Sequence, residues 1–166
     1  GVIKMEVQRN QKPKNNFLKR VRKLADAKNI VLIFDECTSG FRENYGGIHL
    51  KHKVYPDISI FGKALGNGYA INAIIGKRDI MKSVNSSFIS STFWTERIGP
   101  TAALQTLKIM NNIKSWKIIS NIGKKIQKNW KKIAKQNNIK LNIYGLDAIP
   151  NFSFYSNKHN AYKTFI

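Results

Sequence analysis

Residues 30–34, Ile30-Val31-Leu32-Ile33-Phe34, form an unbroken apolar run that stops on two acids, Asp35 and Glu36. A short apolar run with polar flanks fits a strand buried on both faces. A second run, Ile58–Phe61, ends in Gly62-Lys63. Around this pair the pattern alternates. Residues 2–5 read as a strand, and residues 15–28 as a helix carrying Phe17, Val21, Leu24 and Ala25 at helical spacing. Pro13 stands before that helix and Asn29 suits its stop. Residues 38–56 are rich in glycine and polar types and predict a loop, residues 73–75 a further strand, and a helix begins near Pro100. Strands alternating with helices predict an α/β fold with a parallel sheet and crossover helices. Ligands in open sheets of that kind sit beyond the carboxyl ends of strands, where Asp35 and Lys63 both fall.

A carboxylate and a lysine at neighbouring strand ends suit a covalently held cofactor. Pyridoxal 5'-phosphate asks for that pair: an amine for its Schiff base and an acid for its pyridine nitrogen. A carboxylate beside the ring nitrogen favours the protonated ring, which accepts electrons when a substrate Cα proton leaves. Taken by itself Asp35 also fits a turn cap after a strand. Lys63 must be neutral for part of a turnover to move that proton, which burial or a neighbouring positive charge promotes. The chain holds 23 lysines, so context singles this one out: an apolar strand before it, and Gly66 and Gly68 after it for a tight turn.

The words Leu32-Ile33-Phe34-Asp35-Glu36, Gly40-Phe41-Arg42, Tyr45-Gly46-Gly47, Pro56-Asp57 and Gly62-Lys63 stand in one order along the chain. In them the sequence resembles the class III pyridoxal-phosphate aminotransferases, most of all the glutamate-1-semialdehyde 2,1-aminomutase-like branch and aminotransferases of that branch. The resemblance spans about residues 1–110 and fades beyond. It implies a fold type I transferase: residues 1–110 as the carboxyl-terminal part of the large cofactor domain, and residues 111–166 as a linking helix and the start of a small α+β domain. Family members are longer, so a fragment is expected, with an inactive truncated piece as the alternative to an active enzyme.

The resemblance also assigns roles. Lys63 is the catalytic and cofactor-bearing lysine, Asp35 the acid at the ring nitrogen, Cys37 a neighbour of one ring face, and Thr38 a neighbour of the phenolic oxygen. Many relatives carry other residues at the last two positions. A threonine of the partner subunit reaches the cofactor phosphate in this family. Spacing to Pro100 selects Thr95 for that role, whereas the word Ser91-Thr92-Phe93 selects Thr92. Simple capping of the helix at Pro100 is the plainer use of either hydroxyl. A homodimer with shared sites follows from the family role. The implied reaction moves an amino group between a small-molecule amino donor and a keto acid, semialdehyde or keto sugar. The intramolecular shift within glutamate semialdehyde is the alternative. Glu36 reads as a supporting carboxylate, and Glu6 stays outside the catalytic set because Val7 follows it where the family has proline.

The net charge of +20 raises nucleic acid as a partner. However, 23 lysines, 23 isoleucines and 18 asparagines against 6 arginines follow an AT-rich codon bias rather than the guanidinium-rich make-up of a base or phosphate reader. Ile119, Ile122, Ile126, Trp130 and Ile133 recur at helical spacing between lysines, predicting a helix with one apolar stripe toward a core and a solvated lysine face. A helix lying on a membrane surface is the sharper alternative, and neither a membrane nor a nucleic-acid partner is expected. No apolar run has transmembrane length and no signal-like segment opens the chain. The single cysteine fits a reducing compartment, the cytoplasm. His49 and His52 read as exposed loop residues and His159 as part of a polar tail, so no metal site is expected.

Overall fold

The computed structural model describes residues 1–5 and 13–155, so Glu6 and His159 lie outside the described residues. β1 (Val2–Lys4), β2 (Ile33–Asp35) and β3 (Ile58–Phe61) pair in parallel in that order, and β4 (Ala73–Gly76) pairs antiparallel with β3. α1 (Phe17–Ala27) joins β1 to β2, and the expected loop 38–56 contains one short helix, α2 (His49–His52). The antiparallel β4 departs from an all-parallel reading for a plain reason. The connection 62–72 holds a 3-10 turn, Lys63–Leu65, and no crossover helix, so the chain can only double back.

β2 begins three residues later than the apolar run suggests. The amide of Leu32 is taken by the Asp57 carboxylate at 2.7 Å, so ladder pairing starts at Ile33, whose amide bonds the Gly1 carbonyl at 2.8 Å. Ile30 and Val31 are left exposed between the helix end and the strand. Asn29 adopts the left-handed conformation with φ 51°, and the Ile30 amide returns to the Ala25 carbonyl at 2.8 Å, closing α1 where the asparagine marked its stop. The buried face of α1 is Leu18, Val21 and Ala25, whereas Phe17 and Leu24 point outward.

Two clusters form the interior. Met5, Leu18, Ala25, Leu32, Phe34, Ile48 and Val54 pack between α1, the first two strands and the segment around α2. Phe41, Phe61, Leu65, Ala103 and Met110 pack between the end of β3 and α4 (Ile98–Ile113). Pro100 is the third residue of α4, within the first turn where a missing amide costs nothing.

Lys114, left-handed at φ 54°, separates α4 from α5 (Ser115–Gln136), which is followed by the hairpin β5 (Leu141–Leu146) and β6 (Ile149–Phe154). The hairpin covers only one flank of α5. Gly123 and Ala134 are buried, and Ile119 and Trp130 are partly covered. Ile122, Ile126 and Ile133 remain exposed, which corrects the expectation that the whole stripe faces a core. A Cβ on Gly123 would fall 1.6 Å from the Asp147 carbonyl oxygen, so the hairpin turn rests directly on the bare helix backbone. Among the described residues no helix is long and apolar enough to cross a membrane.

Asp57 is 93% buried at its side chain and accepts from the Leu32 amide at 2.7 Å, Lys77 Nζ at 2.7 Å and an Arg22 guanidinium nitrogen at 2.8 Å. Burial pushes its carboxyl up, but the Leu32 amide, Lys77 and Arg22 outweigh this and hold it down at about 2, from an ordinary 3.8. A lowered carboxyl stabilises the fold above its unfolded value and loses that contribution as pH falls through the folded one. Lys77 is largely exposed, so water screens its share. Unfolding in urea should therefore show a loss of about 1–2 kcal/mol between roughly pH 4 and pH 2. Asp57→Asn should be weaker at neutral pH and lack that segment of the profile; parallel profiles would refute the assignment. Gly123→Ala should cost about 1–3 kcal/mol through overpacking, read as a lower melting temperature with faster amide exchange in residues 141–154.

Candidate cofactor site

The carboxyl ends of β2 and β3 lie side by side, with Asp35 paired in register with Ile60 and the Glu36 amide bonding the Ile60 carbonyl at 2.9 Å. After Asp35 the chain tightens: the Asp35 carboxylate accepts the Cys37 amide at 3.1 Å, and the Gly40 amide bonds the Glu36 carbonyl at 2.8 Å. After β3 the chain enters the turn that starts at Lys63. Lys63 Nζ reaches back across the two strand ends and donates to Thr38 Oγ1 at 2.5 Å. Asp35, Cys37, Thr38 and Lys63 thus form one cluster at the edge predicted for a ligand.

Lys63 itself sits at φ 44°, in the left-handed region that costs a side-chain-bearing residue about 1–2 kcal/mol. Gly68, at φ +105°, and Gly66, where a Cβ would lie 2.2 Å from the Tyr69 carbonyl oxygen, let the chain turn behind it. Lys63 is exposed in this chain, and Asp35 and Cys37 are partly so; the amine is open to a ligand rather than enclosed.

Glu36 faces away from this cluster and is fully buried. Its Oε1 accepts His49 Nδ1 at 2.6 Å and the His49 amide at 3.1 Å, while Oε2 accepts the Ile48 amide. The His49 ring also meets Phe34 and Tyr55 edge to face. His49 is therefore not an exposed loop residue but a largely covered partner of Glu36, and together with the Ile48 amide it fastens the start of α2 to the end of β2. His52 is half-buried as well; burial pushes its imidazole down, Lys51 adds to this, and Glu36 and Glu43 oppose it. Nothing in the spacing of Glu36 and His49 announces the pair, because a loop with no period brings them together. Among the described residues no group of three or more histidine, cysteine or acidic side chains is placed to hold a metal.

Thr92 and Thr95 are exposed on the segment entering α4. The helix is capped instead by Glu96, whose carboxylate accepts the amides of Ile98 and, at 3.3 Å, Gly99. Neither threonine is spent on the cap, and among the described residues no hydrogen bond links either to the Lys63 cluster.

An amine and a carboxylate at adjacent parallel strand ends are the two groups that pyridoxal phosphate asks for. A family model described as aminotransferase class-III matches residues 10–165. The chain belongs to the class-III aminotransferase family. That match extends the likeness well past residue 110, where the sequence words faded.

The chain is 36% identical over 154 residues to a 3-aminobutyryl-CoA aminotransferase of Cloacimonas acidaminovorans, covering 92% of this chain and 37% of that protein. It is 32% identical over 148 residues to a glutamate-1-semialdehyde 2,1-aminomutase of Methanocaldococcus jannaschii, covering 87% and 34%. Among solved structures, the PLP internal aldimine form of the FumI protein of Sphingopyxis sp. MTA144 superposes with a TM-score of 0.86 at 23% identity, over 93% of this chain and 38% of that one. An omega-transaminase of Sphaerobacter thermophilus gives 0.77 at 22% identity, over 93% and 36%. These likenesses confirm the fold of the pyridoxal-phosphate transaminases, and the chain spans a little over a third of such relatives.

Glu36→Ala leaves two backbone amides and one imidazole without their acceptor and should destabilise the chain by about 2–4 kcal/mol. Glu36→Gln, which keeps the acceptor oxygen, should recover part of this in thermal melts. Equal melting temperatures for Glu36→Ala and the wild type would show that the loop does not depend on the carboxylate.

Proposed function

We propose that this chain carries the cofactor lysine of a pyridoxal-phosphate-dependent aminotransferase. The observation that carries the reading is Lys63 Nζ donating to Thr38 Oγ1, three residues past Asp35, across the carboxyl ends of two adjacent parallel strands. Lys63 would hold the cofactor covalently and Asp35 would take its ring nitrogen. Cys37 would lie against the ring face and Thr38 beside the phenolic oxygen. The bound cofactor supplies an electron sink for breaking a bond at a substrate Cα. Once a substrate amine has displaced it, Lys63 Nζ would be free to take up and give back a proton, acting as general base and general acid in turn. Thr38 Oγ1, which accepts from Nζ, would hold that amine in place.

The site is completed by a second copy. Thr92 and Thr95 ride on a segment whose Phe88, Phe93 and Trp94 are all exposed, which favours a homodimer in which one of the threonines reaches the partner's cofactor phosphate. Residues 1–110 belong to the large cofactor domain and residues 111–166 begin the small one; the break at Lys114 lies close to that division. Reactants are a small-molecule amino donor and a carbonyl acceptor, in a reducing, cytoplasmic setting that fits the single cysteine. Transfer between two molecules is favoured over an internal shift, because the relative at 36% identity over 92% of the chain is an aminotransferase. The aminomutase relatives keep the internal shift as the second reading.

Pyridoxal phosphate added to the chain and reduced with borohydride should label the peptide containing Lys63, with an absorbance band in the roughly 400–430 nm region before reduction. Lys63→Ala should show neither signal. A label of equal yield in that variant removes the assignment. An unlabelled, folded wild type shows that this chain is inactive alone, and the same test on the longer parent then decides the family role of Lys63.

A further inference from the structure

Asn67-Gly68 is the only Asn-Gly step among the 18 asparagines of the chain; Asn29, Asn112, Asn121, Asn138 and Asn142 all precede isoleucine. An asparagine side chain brings an electrophile, its Cγ amide carbon, within reach of the next backbone nitrogen, which is what makes the residue thermolabile. A β-branched neighbour crowds that nitrogen and a glycine leaves it bare. The fold keeps this pair open. It follows the 3-10 turn Lys63–Leu65, and the Asn67 amide bonds the Lys63 carbonyl at 3.0 Å. Asn67 and Gly68 are both exposed. Among the described residues the Asn67 side chain makes no hydrogen bond and the Gly68 amide donates to nothing, whereas the amides on either side of it are both bonded. At Gly68, with φ +105°, no heavy atom beyond its chain neighbours lies within 4 Å of the place a Cβ would take, so the peptide can swing toward Cγ without a clash. Asn67 is itself left-handed at φ 47°, a conformation that a residue with a side chain leaves at little cost.

We infer that Asn67 is a modification site, at which the folded chain converts its own asparagine to aspartate and isoaspartate. The Gly68 nitrogen gives up its proton and forms a bond to Asn67 Cγ. The bond from Cγ to the side-chain nitrogen breaks, and ammonia leaves with that proton, closing a five-membered imide. Water then opens the imide at either carbonyl. One opening restores the peptide bond and leaves an aspartate; the other routes the main chain through the side-chain carbon. Solvent water is the sole co-reactant. Either product puts a carboxylate on the turn that begins at Lys63. Asn67 also lines a cavity of about 830 Å³ between that turn and α4, whose charged lining groups are Arg42 and Arg97, so the new charge is opposite in sign to both. Beside the proposed cofactor lysine, a carboxylate favours the charged amine and so opposes its attack on an aldehyde. That consequence rests on the cofactor reading; the conversion itself does not.

The purified chain is held folded in mildly alkaline buffer for several days, beside a sample in urea, and digested with trypsin. The peptide 64–77 carries Asn67 together with Asn72, which precedes Ala73 at the start of β4 and serves as the reference. Tandem mass spectrometry should show loss of the amide at residue 67 in the folded sample with Asn72 intact. Isoaspartyl methyltransferase should label residue 67, and ion exchange should show a shift of one charge toward the acidic side. Asn67→Gln should show none of these changes. If that variant melts below the wild type, Asn67→Gly, which suits the left-handed backbone, takes its place. An amide at residue 67 that survives in the folded chain overturns the inference, whether or not urea releases it, and so does equal loss at Asn72. Asn67→Asp should trap less pyridoxal phosphate on Lys63 under borohydride than Asn67→Gln; equal trapping severs the modification from the cofactor lysine. The mass readout uses no cofactor, so failure of the conversion and failure of the cofactor reading are told apart.

Discussion

The Asp57 carboxylate joins four parts of the sheet domain at one point. Through Arg22 it holds α1, through the Leu32 amide it sets where β2 begins, through its own position it opens β3, and through Lys77 it closes the end of β4. The Lys77 amide returns to the Asp57 carbonyl at 2.9 Å, so side chain and backbone fasten the same corner. The register that results places Asp35 opposite Ile60, and that placement brings Lys63 to Thr38. A group at the amino end of the strands thus governs the geometry at their carboxyl ends. The rigid body between them is a three-residue strand with Phe34 at its centre, wholly enclosed.

Neighbouring acids in the sequence divide their work according to burial. Asp35 stays partly exposed and spends one oxygen on the Cys37 amide, which leaves capacity for a ligand. Glu36 has no exposure and uses both oxygens on the segment before α2. Strand alternation sends the two side chains in opposite directions, so one residue of spacing separates a carboxylate open to solvent from one spent on structure.

Much of this was legible in the chain. Ile58–Phe61 was bounded correctly because glycine and aspartate flank it on both sides, and α1 ended where Asn29 said it would. That Asp35 and Lys63 stand at the ends of neighbouring strands followed from the two apolar runs that precede them. The late start of β2 was not legible, because it depends on a side chain 25 residues away competing for a backbone amide. Neither was the role of His49, which a non-periodic loop delivers to Glu36. The hairpin at 141–154 was missed because its alternation is weak, and with it the reason that only one flank of α5 is covered. Helical spacing identified the apolar residues of that helix; it could not say how wide the element packed against them would be.

The left-handed backbone at Lys63 sets conformational ease against the proposed chemistry. Glycine or asparagine would sit there with less strain. On the proposed reading the substitution that relieves the backbone removes the amine, so at this position a gain in stability and a loss of chemistry would come from the same change.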